Sequence, residues 1–229
     1  MPAPGDPLES ERPWKRRPAL LALFGGAIGA ATFGRMPELR AMAVEPPFLR
    51  VELDRDEPSA SRAYDPAAPE RAFPVGYGKE GFLPEGERFR GGYSLLGRFR
   101  VNAILSETRF EMTERLVRLS GKSREWLAEH LFRNMNGIDF DGDGLAREYG
   151  IGYLSLEPIG SEPAQPFHFG EYKGVFRWYS YAVHGTQSPD RIGRRITGGC
   201  INVDEPELRE LLRRAELGDE VEVRERLPS

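Results

Sequence analysis

The chain holds one cysteine and three histidines in 229 residues. A lone thiol excludes an internal disulfide, and one Cys with scattered His offers little for a metal site built on sulfur and imidazole. Basic charge is not in excess either. Thirty-two Lys and Arg stand against 36 Asp and Glu, for a net charge of −4 and a pI near 5.6. Nothing in that balance suits nucleic acid, which calls for a basic face. Long apolar runs are also scarce. The uncharged stretch at residues 18–34 is shorter than the roughly 20 residues of a spanning helix, and five of its residues are Gly or Pro.

What is present points to a turn-rich globular chain. Twenty-six Gly and 19 Pro favour loops over long helices, and 39% hydrophobic residues suffice for one core. Residues 1–46 read as a tail and linker. Within them Lys15-Arg16-Arg17 precedes the apolar stretch, the layout of a signal peptide or a signal anchor, with Arg16-Arg17 inviting a twin-arginine reading. The expectation is export to the periplasm or cell envelope, with membrane contact only through that segment if it stays uncleaved.

From residue 47 on, short strand patterns alternate with turns. Leu49-Arg50-Val51-Glu52-Leu53 alternates cleanly, Ser61 to Tyr64 is its expected partner, and Gly97 to Leu105 reads as a long strand. Helical spacing then takes over. Phe110, Met112, Leu116, Val117 and Leu119 suggest one helix, and Ser123 caps a second that ends at Asn136-Gly137. His130 sits on its apolar stripe and reads as a packed histidine. This helical insertion covers about residues 106–150. Beyond it lie strand-like residues 151–156, an aromatic region with His168 stacked on its neighbours, a run from Trp178 to His184 read as one strand, a last helix and an alternating closing strand.

Asp139, Asp141 and Asp143 stand on alternate positions with Gly144 sixth, the opening of a calcium loop. The twelfth position is Gly150 in place of Glu, and Glu148 falls two places early. A structural calcium and a solvated acidic turn are both open at these residues.

The single cysteine, Cys200, follows Gly198-Gly199, which permit a tight turn and close approach of a substrate carbonyl to backbone N–H groups. His184 closes a strand-like run sixteen residues earlier. A thiol and an imidazole are the minimum set for acyl transfer through a thioester; a buried structural cysteine is the other account. Arg191, Arg194 and Arg195, in the loop between the two halves, could meet a substrate carboxylate.

His184-Gly185-Thr186 followed by Thr197-Gly198-Gly199-Cys200-Ile201-Asn202 is similar to the signature of the L,D-transpeptidase catalytic domain. Residues 95–101 resemble the family's segment before its central strands, and residues 208–222 resemble its final helix, Gly-Asp turn and strand. The resemblance implies a mostly-β domain with a few helices over residues 47–229, a β-sandwich or open barrel carrying the helical insertion. It implies Cys200 as nucleophile, His184 as base and the Gly185 carbonyl as the group that orients the imidazole. The Gly199 and Cys200 N–H groups would form the oxyanion hole. Thr197 and Asn202 would hold the loop and border the substrate. The implied partners are peptidoglycan stem peptides, donor and acceptor, with no cofactor. Many family members carry a histidine where this chain has Gly198. Two other readings stay open: an L,D-carboxypeptidase that hands the thioester to water, and a non-catalytic peptidoglycan-binding envelope protein, which Gly198 favours. A catalytic thiol is expected to be alkylated faster than a model thiol near neutral pH.

Overall fold

A computed structural model of the chain describes residues 46–139, 146–160 and 168–227, all within one unit, Val44–Ser229. The stretch read as an export signal and the aspartates at 141 and 143 lie outside the described residues. Among the described residues no helix is long and apolar enough to cross a membrane.

In chain order the elements are β1 (Leu49–Leu53), β2 (Arg62–Tyr64), β3 (Phe73–Pro74), β4 (Tyr77–Gly78), β5 (Gly81–Leu83), β6 (Tyr93–Leu95), β7 (Gly97–Ser106) and β8 (Phe110–Met112). Then come α1 (Glu114–Ser120), α2 (Arg124–Asn136), β9 (Gly152–Pro158), β10 (His168–Tyr172), β11 (Val175–Tyr179) and β12 (Tyr181–His184). The chain closes with β13 (Arg195–Thr197), β14 (Ile201–Asn202), α3 (Glu205–Arg214) and β15 (Glu220–Glu225). One sheet runs β14, β12, β9, β7, β15, β1, β2, β3, with β8 added on β7. It is mixed and curls into a half-barrel, the open-barrel form of the expected fold. β15 lies parallel to β1, and β14 parallel to β12.

Alternation along the central strands divides the core. Val101 and Ile104 of β7, Leu154 and Leu156 of β9, and Tyr181 and Val183 of β12 join one buried cluster, which α3 completes with Leu208, Leu211 and Leu212. Ala103 and Leu105, Tyr153, and Ala182 face the other way into a second cluster with Leu127, Leu131, Phe132 and Met135 of α2. A register shift between Val101 and Ala103 lets β7 serve both faces at its full length.

Ser123 caps α2 as its position suggests, its Oγ accepting the Trp126 N–H at 3.1 Å. His130 is packed there, stacked on Trp126 at 4.7 Å with Nδ1 bonded to the Trp126 carbonyl at 2.9 Å. Two differences from the sequence reading bear on the site. Phe110 and Met112 are strand residues paired with β7, and α1 begins only at Glu114. Spacing over three residues cannot separate a strand docked on a sheet edge from a helix turn. The run from Trp178 to His184 is likewise two strands: β11 pairs with β10 in a separate hairpin, and β12 enters the main sheet after Ser180.

Candidate active site

β12 and β14 run parallel with Val183 opposite Ile201 and His184 opposite Asn202. Cys200, one residue before β14, therefore falls beside Ala182. Side chains two apart on a strand share a face, so Ala182, His184, Cys200 and Asn202 all project to the side carrying Tyr153 and Trp178. His184 and Cys200 line one cavity of about 350 Å³. A second cavity, of about 410 Å³, lies between Phe48, Phe73 and α3 and holds neither thiol nor imidazole.

The imidazole is fixed from several sides. Its Nδ1 is 2.6 Å from the Gly185 carbonyl oxygen. A carbonyl only accepts, so Nδ1 carries the proton and Nε2 keeps its lone pair. The Tyr149 ring meets it edge-on at 4.8 Å and Tyr153 stacks at 5.8 Å. Burial pushes the His184 pKa down to about 4 against the opposing Gly185 hydrogen bond, and the charge of Arg191 pushes the same way as burial. Gly185 itself is pressed by α3: a Cβ there would sit 2.9 Å from Leu208 Cδ2 and 3.1 Å from the Tyr149 carbonyl oxygen.

Cys200 is half-buried, and its Sγ donates to the Ser180 carbonyl at 3.7 Å. Burial pushes the thiol up to about 12, with the Ala182 N–H opposing. The thiol and the imidazole that share the cavity thus both rest neutral. Rapid alkylation at neutral pH, expected for a thiolate, does not fit this environment.

The loop before the sulfur is held by Thr197. Its hydroxyl accepts the Gly199 N–H at 3.0 Å and donates to the Cys200 carbonyl at 2.7 Å. Gly199 sits at φ +135, and a Cβ on it would lie 2.6 Å from the Tyr93 carbonyl oxygen. Its N–H, expected in the oxyanion hole, is occupied by Thr197 in this structure. Gly198 is exposed, and a Cβ there meets nothing within 4 Å among the described residues. Asn202 is 1% exposed and lines the cavity, and neither atom of its amide has a hydrogen-bond partner among the described residues.

The cations differ from those the sequence suggested. Arg194 is exposed and 3.5 Å from Asp190, and Arg195 is exposed on β13; neither lines the cavity. β13 is only three residues long and its register shifts between Arg195 and Thr197, so plain alternation does not set where its charges face. Arg191 and Arg177 do line it. Arg191 is ion-paired with Glu148 at 2.6 Å. Glu148, which falls two places short of the twelfth position of a calcium loop, serves this pair. Among the described residues no cluster of three His, Cys, Asp or Glu is placed to hold a metal.

Several cavity residues carry no signal in the sequence. Ser180 is one: Ser155 Oγ donates to its Oγ at 2.9 Å, and its carbonyl accepts the Tyr153 hydroxyl at 2.9 Å as well as the thiol. Tyr149, Glu148 and Phe89 come from loops. The helical insertion backs one wall of the cavity. Trp126 packs edge-on against Phe176 at 5.3 Å, and Asn134 Nδ2 donates to the Phe176 carbonyl, so α2 supports the hairpin whose Arg177, Trp178 and Tyr179 line the cavity.

A cysteine and a histidine on neighbouring strands of a curled β-sheet, over one cavity, define a class of thiol-bearing sites. The model of the YkuD family, L,D-transpeptidase catalytic domain, matches residues 50–223, and the chain belongs to that family. A Fuscovulum blasticum protein described as an L,D-transpeptidase, ORF 5 of the ATP synthase subunits region, is 34% identical over 71 residues. That stretch is 31% of this chain and 36% of the relative. Among solved structures, an L,D-transpeptidase from Mycobacterium smegmatis is 15% identical with a TM-score of 0.35, over 77% of this chain and 58% of its own. L,D-transpeptidase 3 from Mycobacterium tuberculosis, solved with a faropenem-derived adduct, is 13% identical with a TM-score of 0.37, over 78% and 60%. The chain spans well under two thirds of each relative's length.

Proposed function

We propose that the protein is a cysteine L,D-transpeptidase of peptidoglycan stem peptides, working in the cell envelope. The observation that carries this reading is the shared face and shared cavity of Cys200 and His184, one strand apart. Because both groups rest neutral, the proton leaves sulfur as sulfur attacks. Nε2 of His184 takes it while the Gly185 carbonyl steadies the imidazolium through Nδ1–H. A carbon–sulfur bond forms at the L-centred carbonyl of a donor tetrapeptide. The carbon–nitrogen bond to the terminal D-amino acid breaks, and that amine leaves with the proton from His184. An amine of a second stem peptide then attacks the thioester and gives its proton to His184, the carbon–sulfur bond breaks, and His184 passes that proton to the departing sulfur, which restores the Cys200 thiol and the neutral imidazole. The Cys200 N–H is the oxyanion donor on the nucleophile itself. The Gly199 N–H joins it only if the Thr197 hydroxyl lets go.

Two measurements test this. Intact-protein mass after incubation with a carbapenem should rise by one drug equivalent on Cys200 and stay unchanged in Cys200→Ala. Incubation with a purified tetrapeptide should yield cross-linked dimer; tripeptide alone would instead make the protein a carboxypeptidase. An unmodified mass and an untouched tetrapeptide would remove the enzymatic reading.

A further inference from the structure

Tyr153 touches both halves of the catalytic pair. On β9 it stands opposite His184 across the ladder, and its ring lies nearly parallel to the imidazole, with 5.8 Å between centres at 16°. Its hydroxyl donates to the Ser180 carbonyl at 2.9 Å, and the same oxygen accepts the Cys200 thiol at 3.7 Å. Ser180 is the single residue between β11 and β12. The protons of this buried cluster follow one from another. Tyr153 has one hydroxyl hydrogen, and the Ser180 carbonyl, which only accepts, takes it. The 2.7 Å contact between the Tyr153 and Ser180 hydroxyls is then donated by Ser180. The Ser180 Oγ accepts in turn from Ser155 Oγ at 2.9 Å. A directed chain results, running from Ser155 through Ser180 and Tyr153 to the carbonyl, and each link polarises the next.

Burial raises the Tyr153 phenol well above its ordinary value, and the neighbouring Cys200 acts in the same direction, against the opposing Ser180 hydrogen bond. The hydroxyl therefore keeps its proton and stays a donor. A thiol proton held by the Ser180 carbonyl must change acceptor before sulfur can attack. The S–H bond breaks, an N–H bond forms at His184 Nε2, and the electron pair of sulfur closes on the substrate carbonyl carbon. As the proton leaves, the Ser180 oxygen faces growing negative charge on sulfur. An oxygen already engaged by a phenol O–H offers less electron density to the thiol and repels the developing thiolate less. Both effects favour the transition state over the resting site.

We infer that Tyr153 is a positioning residue for acyl transfer: its hydroxyl, by engaging the Ser180 carbonyl, loosens the hold of that carbonyl on the Cys200 thiol so that the proton passes to His184. The inference rests on the acyl-transfer reading above and adds the group that governs how readily the resting thiol is released. Tyr153 acts through the carbonyl and makes no bond to substrate. Its place at the end of the hydroxyl chain makes its effect larger than that of Ser155 at the start.

The full chain has one cysteine, so its infrared S–H stretching band belongs to Cys200 alone and should vanish in Cys200→Ala. Tyr153→Phe keeps the ring against His184 and removes the hydroxyl. The carbonyl should then bind the thiol more strongly, and the S–H band should move to lower frequency. Acylation by a carbapenem, followed by intact-protein mass, should slow about tenfold at saturating drug, the scale of one buried hydrogen bond. The half-saturating drug concentration should change little. Ser155→Ala breaks the chain at its far end and should slow acylation only about twofold. A merely structural role gives another pattern: the Tyr153→Phe band moves to higher frequency as the carbonyl drifts from sulfur, or the two variants slow acylation equally. Either result would overturn the assignment, as would an unaltered rate in Tyr153→Phe. Should Tyr153→Phe fail to fold, Ser180→Ala removes the middle hydroxyl and leaves the carbonyl. It should shift the band downward by a smaller amount, and an unshifted band would overturn the assignment. A wild type that takes no acyl group on Cys200 would sink the acyl-transfer reading and this inference with it. The band is read without turnover, so that failure is distinct from a failure of the Tyr153 role alone.

Discussion

The Thr197 hydroxyl bridges the loop on which the nucleophile sits, donating to the Cys200 carbonyl at 2.7 Å and accepting the Gly199 N–H at 3.0 Å. One side chain thereby fixes the backbone on both sides of Gly199. Thr197→Val keeps the shape and removes both bonds. It should lower kcat/KM by roughly ten- to a hundredfold and stability by about 1–2 kcal/mol, the scale of losing buried hydrogen bonds. Thr197→Ser should restore most of both. Steady-state kinetics with thermal unfolding checks this, and an unaltered Val variant would show that the turn holds without the hydroxyl.

The pair of pKa values sets the pH behaviour. His184, pushed down to about 4, remains a neutral base at every pH well above that value, and Cys200, pushed up to about 12, remains a thiol. The acid limb of kcat/KM should fall near pH 4 and not near the ordinary histidine value of about 6.5. Alkylation of Cys200 by iodoacetamide in the absence of substrate should be slower than that of a model thiol at pH 7 and climb through pH 10. A rapid reaction at pH 7 would mean the thiol is already ionised.

Glu52 is the most tightly held carboxylate of the sheet. It is 5% exposed on β1, and Arg224, Arg62 and the Tyr64 hydroxyl all donate to it. Burial raises its pKa, but these three hydrogen bonds outweigh it and hold the carboxyl at about 2. A folded-state pKa below the unfolded one contributes stability that is complete above about pH 5 and disappears as pH falls through 2. Glu52→Gln should cost about 3 kcal/mol at pH 7. The penalty should shrink toward pH 2, as denaturant melts at the two pH values would show.

The two glycines before the sulfur should behave oppositely. Gly198→Ala has open space and should fold and melt as wild type does. Gly199→Ala would force a side chain onto the Tyr93 carbonyl at φ +135 and should lose at least ~2 kcal/mol along with activity. The space at Gly198 also predicts that Gly198→His is tolerated. Comparable melting temperatures for the two alanine variants would contradict the loop geometry.

Much of the strand framework was legible because it is local. β1 and β7 carry an alternating sequence pattern, β9 is a short apolar run buried along most of its length, and Ser123 and Gly137 mark the ends of α2. The division of the Trp178 to His184 run at Ser180 was not legible. Both halves are aromatic and apolar, and only their partners, β10 for one and β9 for the other, tell them apart. Arg194 and Arg195 were reasonable cations by position in the loop. Whether a charge reaches a cavity depends on the strand's facing, which adjacency in sequence does not encode.

By itself the sequence determined the chemistry on offer: one thiol, a histidine closing a strand, and a glycine turn before the sulfur, since these are properties of residue types and near neighbours. Tertiary structure alone decided how that chemistry is set. The parallel pairing of β12 with β14 puts the two groups on one face. Burial then moves their proton affinities apart, and the β10–β11 hairpin brings Arg177 to the cavity. Each depends on which distant segments exclude water from the site, and solvent exclusion is a property of the folded whole.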